Sequence, residues 1–381
     1  MSQRETILIA DDNESVTSAL AMLLDRPGRT TIICSDIESA ELMLAREPVT
    51  HVVTDVQFSG TFGFEGLHFL HRIRERRPGC RIALMTGQPT DALRVAAIEH
   101  GALALLSKPF TIEELESALG TTGSGNDDKY KVVRVASFDE LIAGDALRIA
   151  FQPIVEITDA GAIMAFEALT RVRGDWAAGG PAELFDYATR RGRLRELNLH
   201  SLARAIEAAA SLPLESSLFL NVDPLAFCPE LPRILEGAAA RARIELTRIV
   251  LEVTERSDFA DPQRVIPLFH ALRAKGVRFA LDDHGSAYSH LALIDEIRPS
   301  FIKISNTFGT KLEDDDTHRR IVAHMASLSH EFGCKTVLEG IESAETARTA
   351  ERLGIDFAQG FHFGRPNFAS HWTAALEEIA S

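Results

Sequence analysis

The sequence predicts an α/β protein of two domains, a doubly wound parallel sheet of five strands followed by a (β/α)8 barrel. Three observations carry that prediction. Short apolar runs alternate with helix-period segments five times in residues 1–120. A small, polar, glycine-rich stretch, Gly120 to Lys129, then interrupts the pattern. Eight further apolar runs follow over roughly 250 residues, the size and rhythm of a closed barrel. The expected division is residues 1–120, a linker at 121–130 and a barrel at 131–381.

In the first domain the strand-like runs are Ile7-Ala10, Thr31-Cys34, Val52-Thr54, Ile82-Met85 and Ala102-Leu106. Helix-period segments such as Val16 to Leu24, Ser39 to Ala45 and Leu67 to Arg76 lie between them. Such sheets bind ligands beyond the carboxyl ends of their strands. Asp11, Asp12, Asp55, Thr86 and Lys108 all stand at or just past those ends, so they are expected to converge. Three acids could hold one Mg²⁺ or Mn²⁺ while Asp55 accepts a phosphoryl group, with a hydroxyl and an ammonium on its oxygens. Five separate polar caps would be the plainer account, and five such residues at four of the strand ends weigh against it.

These residues resemble the flavodoxin-like receiver domain of bacterial two-component response regulators, over about the first third of the chain. The resemblance implies phosphorylation of Asp55 by a sensor histidine kinase, one metal held by Asp11, Asp12 and Asp55, and switching through Thr86 and Lys108. Leu105 stands where the family often has a switching aromatic, and Val56 to Gly63 looks enlarged.

The eight runs of the second domain are Arg148-Ile154, Met164-Leu169, Leu218-Val222, Ile249-Val253, Val277-Leu281, Phe301-Ile304, Lys335-Leu338 and Phe357-Phe363. Barrel enzymes place their chemistry at the carboxyl ends of the strands. Read in order, these carry Gln152; Glu167 then Arg171; Asn221; Glu252 then Glu255; Asp282 and Asp283; Lys303; Glu339 then Glu342; and Gln359. Taken alone, the Asp282-Asp283 pair fits either a solvated turn or a divalent-cation site, because adjacent buried carboxylates repel unless a cation lies between them. Hard oxygen ligands on one rim suit a pair of Mg²⁺ or Mn²⁺ ions about 3.5–4 Å apart.

Phe166-Glu167-Ala168-Leu169-Thr170-Arg171 carries the signature that gives the EAL domain family of cyclic-di-GMP phosphodiesterases its name, and the chain resembles that family throughout the TIM-like barrel. The supporting stretches are Phe151-Gln152-Pro153-Ile154, Leu251 to Glu255, Asp282-Asp283, Lys303, Glu339 to Glu342 and Gln359-Gly360-Phe361. The resemblance implies one metal on Glu167, Asn221, Glu252 and Asp282, and a second on Asp282, Asp283 and Glu339. It further implies Lys303 orienting or deprotonating a bridging water, Gln152 and Arg171 on the substrate with Gln359 and Glu342 near it, Glu255 anchoring a loop, and pGpG as product. Replacing Lys303 is expected to lower turnover while largely sparing folding. The loop His284-Gly285-Ser286-Ala287 departs from the family's Phe-Gly-Thr-Gly or Phe-Gly-Ala-Gly, near a segment that often lies at the family's dimer interface. That departure keeps a second function open, a catalytically weak or silent cyclic-di-GMP receptor signalling through a protein partner.

The net charge of −15 argues against duplex nucleic acid and anionic membrane as partners. The residues after Met1 contain no long apolar segment, and no run reaches the ~18 apolar residues of a membrane span. Four widely separated cysteines suit reduced thiols. A cytoplasmic protein is expected, as a homodimer or higher oligomer.

Overall fold

The computed structural model of the chain describes residues 5–58, 65–120, 131–134, 136–143, 146–157, 161–173, 180–213, 215–254, 262–284, 297–313 and 315–380. They form two compact units. The first comprises Met1–Ala146 with Val172–Gly192, the second Leu147–Arg171 with Arg193–Ser381.

In the first unit the strands are β1 (Glu5–Ala10), β2 (Arg29–Cys34), β3 (His51–Asp55), β4 (Arg81–Thr86), β5 (Ala104–Ser107) and β6 (Lys131–Arg134). They form a parallel sheet in the order β5-β4-β3-β1-β2-β6. Helices α1 (Glu14–Leu23), α2 (Ile37–Arg46), α3 (Glu65–Arg76), α4 (Asp91–Glu99) and α5 (Ile112–Leu119) follow the first five strands in turn. Apart from their first residues Glu5 and Arg81, the central strands β1, β3 and β4 are buried, and their middles are mostly apolar, as two covered faces require. Ile7, Ile9, Val53 and Met85 pack against Leu20, Leu24, Leu115 and Leu119 on one side. Capping is encoded locally. Asn13 accepts from Ser15 and Val16 to start α1, Asp36 from Ser39 to start α2, and Thr111 forms a capping box with Glu114. Lys131–Arg134, expected to open the barrel domain, instead pairs with β2 as a sixth strand. Its four residues carry no mark of which sheet they join.

The first unit also contains α6 (Phe138–Ala143) and α7 (Pro181–Arg190). Leu184, Tyr187 and Ala188 of α7 are buried, and the Tyr187 ring tilts against Phe138 at 6.0 Å.

The second unit is a closed barrel of β7 (Leu147–Glu156), β8 (Ile163–Val172), β9 (Ser217–Asn221), β10 (Ile249–Thr254), β11 (Arg278–His284), β12 (Phe301–Ile304), β13 (Lys335–Leu338) and β14 (Phe357–Ala358). Around it stand α8 (Leu194–Ala208), α9 (Leu231–Ala242), α10 (Pro262–Ala274), α11 (Asn306–Gly309), α12 (Asp316–Glu331), α13 (Ala344–Arg352) and α14 (Ala369–Ala380). One feature differs from a strict (β/α)8 repeat: β7 runs antiparallel to β14. Only residues 157–162 separate β7 from β8, too few for the dozen or more that a parallel crossover needs. The last strand is two residues, shorter than the expected Phe357-Phe363, and the strand expected to stop at Leu281 continues to His284 with a register shift after Leu281.

The barrel interior holds a layer built from Ile154, Ala165, Phe219, Val250, Ala280, Phe301 and Val337, with Phe357 packed against it. This layer positions the site, because side chains on a strand return to the same face every second residue.

Candidate active site

Two residues beyond that layer, on seven strands, come Glu167, Asn221, Glu252, Asp282, Lys303, Glu339 and Gln359. On β7, which runs the other way, the equivalent position is two residues earlier and holds Gln152. Every barrel strand thus contributes one polar group to a single ring above an apolar plug. The reversal of β7 explains why Gln152 sits in mid-strand and still reaches the open end.

Lys303 is at the centre of the ring and only 1% exposed. Its Nζ lies 2.7 Å from Glu339, 3.1 Å from Glu252, 3.3 Å from Asp282 and 3.4 Å from Glu167. Glu167 is held from three sides. Asn221 Nδ2 donates to one of its oxygens at 2.8 Å, and Gln359 Nε2 donates to the other at 2.7 Å. Gln359 also donates to Gln152 at 3.2 Å, whose own amide donates to the Gly364 carbonyl at 3.2 Å.

The electrostatics follow from burial. Burial opposes ionisation of Glu167, but Lys303 with Gln359 and Asn221 outweighs it, and the carboxyl lies below the usual glutamate range. Glu252 is pushed well up by burial and by the Glu167 charge. Burial pushes Glu339 up to about 7, against the pull of Lys303 and with repulsion from Asp282. Burial works against the Lys303 ammonium, but Asp282, Glu167, Glu252 and Glu339 together hold its pKa well above the ordinary value. When ionised, four carboxylates face one ammonium and leave three negative charges without a partner. Glu252 Oε1 and Asp282 Oδ1 are buried without hydrogen-bond geometry, although both lie near Nζ, and Gln359 Oε1 has no partner. Orphaned hard oxygens with surplus negative charge fit divalent cations. Among the described residues, these acids are not drawn together as closely as a three-carboxylate ligand cluster.

A cavity of about 290 Å³ opens beside the ring, lined by Gln152, Glu167, Glu339, Glu342 and Gln359, and also by Leu169, Asn306, Thr310, Gly340 and Phe361. Asn306 and Thr310 were not singled out in the sequence. Asn306 lies two residues past the end of β12, where the strand-end rule applied to the other strands also reaches it. Gly340 has φ of +76°, and a Cβ there would meet the Asn306 backbone at 3.1 Å. A Cβ on Gly309 would lie 1.9 Å from the Glu339 carbonyl oxygen. Helix α11 and the loop after β13 therefore pack backbone to backbone, and the Glu339 backbone is set by that contact.

Not every expected residue joins the ring. Arg171 does not line the cavity; its guanidinium donates to the Thr170 carbonyl at 2.9 Å. Glu342 lines the cavity and is exposed. Glu255 and residues 285–287 lie outside the described residues, as do the side chains of Asp283 and His284. Lys303 is more central than expected, 1% exposed and within 3.4 Å of four carboxylates.

In the first unit, Asp11, Asp12 and Asp55 present carboxylate oxygens within 4.8 Å of one another, a set able to hold a cation. Lys108 Nζ donates to Asp11 and Asp55 at 2.6 Å each. Burial pushes Asp11 up despite that lysine, as for a carboxylate whose compensation is incomplete. Thr86 is buried beside them. Its hydroxyl accepts from the Gln88 amide at 3.1 Å, and its carbonyl accepts from the Lys108 amide at 2.8 Å.

Fold and side chains together define a class: a doubly wound α/β unit with three acids beside a lysine past its strand ends, in one chain with a barrel whose open end gathers acids and amides around a lysine. The chain belongs to the EAL domain family, which matches residues 135–366, and the response regulator receiver domain matches residues 7–120. Among similar proteins, the cyclic di-GMP phosphodiesterase RocR of Pseudomonas aeruginosa is 24% identical over 96% of this chain and 97% of its own. The probable cyclic di-GMP phosphodiesterase PdeN of Escherichia coli is 28% identical over 57% of this chain and 43% of its own. The chain spans only 29% of the length of an uncharacterized signaling protein of Caulobacter vibrioides, which is 28% identical over 61% of this chain. Of solved structures, the PaMucR phosphodiesterase in complex with c-di-GMP superposes with a TM-score of 0.55 at 26% identity, over 61% of this chain and 96% of that one. A manganese and cyclic-di-GMP complex of Klebsiella pneumoniae BlrP1 gives 0.54 at 29% identity, over 59% and 57%. Among the described residues no helix is long and apolar enough to cross a membrane, and all four cysteines are free and buried.

Proposed function

We propose that the barrel hydrolyses cyclic-di-GMP to the linear dinucleotide pGpG with two divalent cations, and that phosphorylation of Asp55 by a sensor histidine kinase regulates it. The observation that carries this reading is the ring itself: acids from four strands within 3.4 Å of one buried lysine, beside an open cavity. Glu167, Asn221, Glu252 and Asp282 would hold one cation, and Asp282, Asp283 and Glu339 the other. Mg²⁺ and Mn²⁺ both suit such oxygens. Bound there, divalent cations would acidify a water, neutralise phosphoryl oxygens and lower the pKa of the neighbouring lysine.

The chain's own groups do the rest. Lys303, with Gln359 and Asn221, favours the ionised form of Glu167 against its burial, and the two amides fix its orientation. Lys303 keeps the site from collapsing by repulsion and stands where it can orient the attacking water. Gln152 and Glu342 on the cavity wall offer hydrogen bonds to substrate, and Arg171 offers a fork of donors for phosphate when it leaves the Thr170 carbonyl. In the first unit, Lys108 neutralises the phosphoacceptor pocket and would contact the phosphoryl oxygens.

The test is turnover of cyclic-di-GMP by the full chain with Mg²⁺ or Mn²⁺, with product identified by chromatography, with and without a small-molecule phosphodonor. Glu167→Gln should lower turnover at least ~100-fold, the scale for losing one preorganised electrostatic contact. Wild-type turnover in that variant would remove the ring from the chemistry.

A further inference from the structure

Residues 172–192 fall inside the EAL match, yet they belong to the first unit. The chain leaves the barrel unit directly after Arg171, forms α7, and returns at Arg193. What holds α7 is the acidic side of α2. Tyr187 is fully buried, and its hydroxyl donates to Asp36 Oδ2 at 2.6 Å. The other oxygen of Asp36 accepts from the Ser39 amide at 2.8 Å and caps α2. Arg191 lies 3.3 Å from Glu38 and 3.9 Å from Asp36. Arg190 lies 3.2 Å from Glu41, whose other oxygen pairs with Arg72 of α3. Arg46 meets Glu183 at 2.7 Å.

These contacts lead back to the phosphoacceptor pocket by two short routes. The Asp11 amide donates to the Cys34 carbonyl at 3.1 Å, two residues before Asp36. Arg72 is on α3, the first helix after Asp55. An ordinary surface contact would rest on exposed ion pairs, which contribute little. Here a buried phenol donates to a buried carboxylate that also caps the receiving helix, so a shift at the end of β2 moves both helices together.

We propose that the acidic face of α2 is the docking surface for α7, and that the Tyr187–Asp36 contact passes the state of the phosphoacceptor pocket to the chain that follows Arg171. The proposal rests on Asp55 being the phosphoacceptor. It gives α7, which follows β8 directly in the chain, a function that the barrel chemistry does not use.

The experiment follows backbone hydrogen exchange of α7 in the full chain, with and without Mg²⁺ and beryllofluoride, a stable phosphoryl mimic. In wild type, beryllofluoride should change exchange across Pro181–Arg190. Tyr187→Phe keeps the ring and loses only the donor. It should raise basal α7 exchange about tenfold or more, the scale for a hydrogen bond to a charged group, and abolish the beryllofluoride effect. Asp36→Asn retains a cap for α2 and should do the same. In both variants exchange in β9 and β10 and basal turnover of cyclic-di-GMP should match wild type, while the ratio of turnover with and without beryllofluoride falls to about 1. Unchanged α7 exchange on adding beryllofluoride to wild type, or a full response retained in both variants, would overturn the proposal. A wild-type chain whose α7 responds but which hydrolyses no cyclic-di-GMP would sink the barrel reading and leave this one standing.

Discussion

Replacing Lys303 by methionine should destabilise the metal-free chain, and by more at high pH than at low pH. The two side chains are similar in length, so the change removes a charge with little cavity. The lysine is the only cation within 4 Å of Glu167, Glu252, Asp282 and Glu339 among the described residues. Removing one partner of a buried ion pair costs about 3–5 kcal/mol. Carboxyls that take up protons relieve part of this loss, and Glu252 and Glu339 are already pushed up, Glu339 to about 7. A group whose folded pKa is raised contributes stability below its unfolded value and loses it as pH rises through the folded one. In the variant, deprived of the ammonium, the acids lie higher still, so the loss should be about 3 kcal/mol or more at pH 8 and smaller at pH 6. Added Mn²⁺ replaces the missing charge, and at 100 times its Kd contributes about 2.7 kcal/mol. Urea unfolding of both proteins at the two pH values, in EDTA and in Mn²⁺, measures each term. Equal midpoints in EDTA at pH 8 would refute the reasoning, because the ring would then not depend on its central cation.

Other outcomes test separate parts of the molecule. Gly309→Ala places a Cβ 1.9 Å from the Glu339 carbonyl oxygen. It should lower turnover at least tenfold, and a variant with unaltered activity would show that the packing of α11 on the loop after β13 does not set Glu339. Asp55→Asn should remove any change of turnover with a phosphodonor while leaving basal turnover in place, as read in the same hydrolysis assay. Asp356 is half-buried at the end of the barrel away from the ring. Burial raises its pKa, but Lys335, Thr336 and His330 bring it down to about 2. Its stabilisation is present above the unfolded value near 3.8 and lost as pH falls toward 2. Asp356→Asn should therefore cost about 2 kcal/mol at pH 7, with the gap to wild type closing between pH 4 and pH 2 in acid unfolding.

What the sequence determined by itself was the local pattern. Apolar runs that end in acids, such as Ile7-Ala10 before Asp11-Asp12, and runs with an interior polar residue, such as Phe301-Ile302-Lys303-Ile304, name the strands and the side they present. The period of two then places Glu167, Asn221, Glu252, Asp282, Lys303, Glu339 and Gln359 at one level. Partner choice was left to the tertiary structure. The direction of β7, the seat of Lys131–Arg134 beside β2, the attachment of α7 to α2 and the central place of Lys303 all depend on which surfaces meet. A strand or helix carries the same hydrophobic face whichever neighbour covers it. The selection is made by long-range contacts such as Tyr187 with Asp36, 151 residues apart in the chain, and no short window of residues contains both halves of such a pair.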